Sequence, residues 1–99
     1  MDSERTIQSS AHALWRVPGQ VAWVVEPYGV ALIHLVDGHR LELFYPEAAV
    51  WALVTRGRSV EAIRSMLELI AGIGPSEAQT LVDSCLAQWI AGGWLEARQ

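Results

Sequence analysis

At Tyr45-Pro46 the periodicity of the chain changes, and no other position restricts the fold as much. Before it, Arg40, Glu42 and Phe44 alternate with Leu41, Leu43 and Tyr45, which is the two-residue repeat of a half-buried strand. After it, Val50, Trp51 and Val54 recur three and four apart, the repeat of a helix with one apolar stripe. One segment cannot obey both periods, so strands end here, helices begin, and the fold is β first and α second. Pro46 suits the first position of a helix, and Glu47 beside it complements the positive end of the helix dipole.

Upstream, Pro18-Gly19 supplies a turn before residues 21–26, which are β-branched and aromatic. Glu26-Pro27-Tyr28-Gly29 reads as a four-residue turn, and residues 30–36 as a second strand. Asp37-Gly38 signals a two-residue hairpin, both positions tolerating positive φ, with the third strand at once after it. In that strand Leu41 and Leu43 belong inward, while Arg40, Glu42 and Phe44 belong outward. A three-stranded meander leaves two edges, and the third strand is one of them.

Downstream, the first helix runs to about Arg56 and Gly57 ends it. Ser59 caps a second helix whose apolar face is Val60, Ile63, Met66, Leu67 and Ile70, closed by Gly72. Ser76, with Gln79 three residues on, reads as the capping box of a third helix with the core stripe Ala78, Val82, Cys85, Leu86 and Trp89. Gly92-Gly93 stops it, and Trp94-Leu95 is expected to fold back on the body. The expectation is an α+β domain, a three-stranded antiparallel sheet followed by three helices, winged-helix-like in composition. Residues 1–13 read as a flexible arm and residues 14–96 as the single domain.

Composition narrows the function. With 52% hydrophobic residues and five Trp, the chain is far from a disordered one. A net charge of -4 argues against nucleic-acid binding, which needs concentrated positive charge, and the third helix carries Glu77 and Asp83 but neither Arg nor Lys. The single Cys85, at core spacing, excludes an internal disulfide and reads as an inert buried thiol. No apolar run reaches the roughly 20 residues of a membrane span and no signal peptide is evident, so a cytoplasmic location is expected.

Chemistry is sparse. His12, His34 and His39 lie near no thiolate or carboxylate in a pattern suggesting a nucleophile and base. His34 and His39 flank the hairpin and could face each other, which is a poor metal site. Asp37, Glu47 and Glu61 are accounted for by a turn and two helix starts. No catalytic residue, metal or cofactor is expected.

Residues 44–54, Phe44-Tyr45-Pro46-Glu47-Ala48-Ala49-Val50-Trp51-Ala52-Leu53-Val54, are followed by Gly57-Arg58-Ser59-Val60-Glu61-Ala62-Ile63. Together they resemble the pattern Leu-Asn-x-x-Ala-x-x-Trp-x-Leu and Gly-x-Ser/Thr-Val-x-x-Ile of the PqqD-like family, with Tyr45 in place of the usual Asn. The ending Val82, Cys85-Leu86, Trp89, Gly93-Trp94-Leu95 is similar to that family's last helix. The resemblance implies a non-catalytic adaptor that binds the leader of a ribosomally made precursor peptide. It would present that peptide to a modifying enzyme such as a protease, cyclase or radical enzyme, as in lasso-peptide assembly.

The leader would add as a strand along residues 40–44, in a groove between that strand and the third helix. The residues implied are Arg40, Leu41, Glu42, Leu43 and Phe44, with Leu81, Ser84, Cys85 and Gln88 from the helix. Leu43→Asp or a proline at Glu42 should then weaken binding. A winged-helix DNA-binding regulator is the alternative, and a homodimer stays open.

Overall fold

The computed structural model describes residues 15–98, so the expected arm at residues 1–13 lies outside the described residues. The elements in order are β1 (Trp15–Arg16), β2 (Val21–Glu26), β3 (Gly29–His34), β4 (Arg40–Phe44), α1 (Glu47–Thr55), α2 (Val60–Ala71), α3 (Pro75–Ala91) and β5 (Glu96–Ala97). Strands β2, β3 and β4 form an antiparallel sheet in that order, and the three helices follow. This is the winged-helix-like α+β arrangement that the change of period at Tyr45-Pro46 predicts. A second, two-stranded ribbon pairs β1 with β5, Trp15 opposite Ala97, so pairing reaches one residue past the expected boundary at 96.

The sheet's inner face and the helical stripes share one core. Val21, Val30, Leu32 and Leu43 from the sheet meet Val50, Trp51, Val54, Ile63, Leu67, Ala78, Val82, Cys85, Leu86 and Trp89. Trp94 and Leu95 fold back and are buried with them. Trp51 is fully buried at the centre, edge-on to Trp23 at 5.7 Å and to Trp89 at 5.2 Å. Aromatic rings prefer such edge-to-face contacts because the electropositive rim of one meets the electronegative face of the other.

Local differences from the expected elements have local causes. The β3–β4 hairpin is wider than a two-residue turn, because only Gly38 takes a positive φ, 77°, and Asp37 does not. The His34 carbonyl instead accepts the Gly38 N–H, and the Asp37 carboxylate accepts the His39 N–H. Pairing therefore stops at His34, and Leu35 and Val36 stand exposed in the loop. Pro46 caps α1 rather than opening it. Helix α3 starts at Pro75, whose missing N–H and fixed φ suit the first helical position, so Gly74 is the cap and Ser76 lies in the first turn. The Glu77 carboxylate reaches back to the Gly74 N–H at 3.4 Å. On α2, Ile63 and Leu67 are buried, whereas Met66 and Ile70 are exposed, since α3 covers a narrower stripe than the apolar pattern offers.

Gly29 marks a close backbone approach between β3 and β4. A methyl group there would run into the Leu43 carbonyl oxygen, a backbone atom that cannot rotate away. Gly29→Ala is expected to destabilise the domain by about 2–3 kcal/mol. A thermal melt reads this as a fall of about 10 °C or more, and an unchanged melt would contradict the close approach.

Candidate peptide-binding site

Backbone geometry decides what β4 offers. The His34 N–H donates to the His39 carbonyl, and the Leu35 N–H donates to the Gln20 carbonyl. In an antiparallel ladder, the N–H and C=O of successive residues point to opposite sides. With Leu32 opposite Leu41 and Val30 opposite Leu43, the polar groups of Leu41 and Leu43 are spent on β3. Those of Arg40, Glu42 and Phe44 therefore face away from β3, along an edge that no described strand pairs. Side chains follow the same alternation: Leu43 is in the core and Leu41 half-buried, while Arg40, Glu42 and Phe44 are exposed.

On α3 the expected residues separate by burial. Leu81, Ser84 and Gln88, spaced three and four apart, share one outward flank, with Leu81 half-buried and the other two exposed. Cys85 lies on the neighbouring stripe, 3% exposed and within the core. Burial and then the nearby Glu47 carboxylate push its thiol up to about 12, so it stays neutral, as the sequence reading of an inert thiol expects. A peptide in contact with Cys85 would have to displace core packing.

Leu81 and Ser84 line a groove of about 580 Å³ together with Glu47, Ile73, Ser76, Glu77 and Thr80. It lies between the start of α1, the α2–α3 link and the first turns of α3. None of the β4 residues is in its lining, and Gln88 is not either; Arg40 instead lines an apolar hollow of about 300 Å³ with Ala22, Val24, Ala31 and Ile33. The link between groove and strand is the chain itself: Glu47 follows Phe44 by three residues. Sequence reasoning missed Glu47, Ile73, Ser76, Glu77 and Thr80. Extending the Leu81–Ser84 flank back by one helical turn would have found Glu77 and Thr80.

The two hairpin histidines are 6.5 Å apart between ring centres. The His34 ring stacks on Trp94 at 4.0 Å, and its Nε2 lies 3.1 Å from the Gly92 carbonyl oxygen, where it must carry the proton and donate. His34 thus ties the hairpin to the end of α3. Among the described residues no group of three or more His, Cys, Asp or Glu side chains is placed to hold a metal ion, and no helix is long and apolar enough to cross a membrane.

The fold and its open β4 edge define a small winged-helix-like α+β domain. No protein-family model matches the sequence, and no curated protein matches it. Among solved structures, the chain is similar to "Lasso peptide synthetase B1 complexed with the leader peptide", with a TM-score of 0.77 at 15% identity, covering 82% of this chain and 95% of that one. It is equally similar to "TbiB1 in Complex with the TbiA(beta) Leader Peptide", with a TM-score of 0.77 at 18% identity, covering 85% of this chain and 98% of that one. At such identities the likeness establishes a common fold.

Proposed function

We propose that this protein is a non-catalytic adaptor that binds the leader segment of a ribosomally made precursor peptide and presents it to a modifying enzyme. A protease, cyclase or radical enzyme would be that partner, in an assembly of the lasso-peptide kind working in the cytoplasm. The observation that carries the reading is the likeness, over more than four fifths of the chain, to two chains solved with a leader peptide bound. The open edge of β4 supports it, since an added strand would meet the outward N–H and C=O groups of Arg40, Glu42 and Phe44. At about 0.5–1.5 kcal/mol net for each backbone bond, a few such bonds with some apolar burial offset the cost of ordering a short peptide. The DNA-binding alternative draws no support from α3, which carries Glu77 and Asp83 and no cation.

The test is fluorescence anisotropy with a labelled synthetic peptide spanning the leader of the precursor encoded beside this gene. A Kd of roughly micromolar or tighter is expected, an affinity suited to a peptide that must be handed on. Absence of binding at tens of micromolar would overturn the proposal.

A further inference from the structure

We propose that the groove between the start of α1 and the outer flank of α3 selects leader peptides carrying a basic side chain next to an apolar one, an inference that rests on the leader-binding reading. The groove's lining joins the apolar Ile73 and Leu81 and the hydroxyls of Ser76, Thr80 and Ser84 to the carboxylates of Glu47 and Glu77. No cation is in that lining. Among the described residues neither carboxylate belongs to an ion pair, the salt bridge found being Arg16 with Glu96 at 3.5 Å. Arg64, on the neighbouring helix, is held by Gln79 at 2.9 Å instead.

The groove is open and largely apolar in its lining, with Glu77 exposed and Glu47 half-buried, so the two negative charges act on a guest most strongly at low ionic strength. Glu47 lies near enough to the buried Cys85 to add to the effect of burial in disfavouring ionisation of its thiol. A guest that brought a carboxylate here would meet repulsion, and a wholly apolar guest would strip water from both acids without replacing it. An Arg or Lys answers both demands, because its aliphatic stem can lie on Ile73 and Leu81 while its charged head reaches the carboxylates.

The position fits a strand on β4. Glu47 is three residues past Phe44, so at 3.8 Å per residue the chain places them no more than about 11 Å apart. A leader whose chain continues beyond the Phe44 end of the edge arrives at the groove within a few residues. The edge would then supply affinity through backbone groups common to all peptides, and the groove would supply discrimination among them.

The test uses the full chain and the same labelled leader peptide. Wild type, Glu47→Gln, Glu77→Gln and the double variant are titrated at low and at physiological salt. Glutamine keeps an acceptor oxygen for the Gly74 N–H, and a thermal melt of each variant reports that the fold is retained. The double variant is expected to bind at least about fivefold more weakly at low salt, with the difference shrinking as salt rises. Replacing the peptide's basic residue by glutamine should lower wild-type affinity by a similar factor and leave the double variant unaffected, closing the cycle on one interaction. A leader without a basic residue, or a double variant binding within twofold of wild type, overturns the charge selection while the leader-binding reading stands. Failure of the wild type to bind overturns both.

Discussion

Glu42→Pro is expected to weaken leader binding by about 10- to 100-fold while leaving the domain folded, because proline removes one outward N–H and sets a ring against the incoming strand. The folded state tolerates the change for the reason that binding does not. The Glu42 N–H points away from β3, so no ladder bond is lost, and edge strands accept proline where the N–H faces solvent. Leu41→Pro is the control. Its N–H belongs to the β3 ladder, and that variant should lose the sheet and with it a cooperative melt. Anisotropy with the leader peptide, paired with circular dichroism, separates the two. A Glu42→Pro protein that melts as wild type and still binds as tightly would exclude strand addition at β4. Leu43→Asp, which the sequence suggests as an equivalent probe, is not one: Leu43 is buried in the core, and a carboxylate there attacks folding before it attacks binding.

Trp51→Ala is expected to be the most damaging single truncation in the core. The side chain is fully buried between Trp23 and Trp89, and emptying such a site costs about 3–5 kcal/mol. A domain of this size holds roughly 5–15 kcal/mol in all, so the melting temperature should fall by more than about 15 °C. Trp51→Phe provides the contrast. The buried indole Nε1 has no hydrogen-bond partner among the described residues, so phenylalanine keeps an aromatic ring and removes a desolvated donor. Chemical denaturation should place Phe well above Ala. Equal losses would mean that the indole's full width, rather than its aromatic faces, holds the three tryptophans together.

The order of elements was legible in the sequence because each signal is local. Tyr45-Pro46, Gly57, Ser59, Gly72 and Gly92-Gly93 mark boundaries by backbone chemistry that needs no distant partner, and the Ala78-to-Trp89 stripe names the buried face of α3 outright. The β1–β5 ribbon was not legible, since two-residue strands leave no periodicity and depend on ends far apart in sequence. The wide β3–β4 hairpin was misread because Asp37 reaches the His39 N–H with its side chain instead of adopting a positive φ. Helix-face assignments failed where coverage is incomplete: Met66 and Ile70 repeat with the core but α3 stops short of them.

For the candidate site, the alternation in β4 identified an edge, yet Cys85 shows how a single residue's shift around a helix turns a surface flank into core. Glu47 escaped notice because the helix dipole already accounted for a carboxylate at that position. A residue with a sufficient local explanation can still face a groove, and only the packing of α1 against α3 reveals it.

The pairing of Trp15 with Ala97 brings the first and last described strands side by side, on the ribbon rather than on β4. The first and last strands of the described residues are therefore neighbours in one antiparallel ribbon. A domain with adjoining ends can be spliced into a host loop, or relinked end to end and reopened elsewhere, with little change to its interior. Closing residues 15 and 97 with a short linker and reopening the chain in the exposed loop at Leu35 and Val36 would keep β4 intact on one side of the cut. Such a rearranged chain would retain the β4 edge and the core on which it rests.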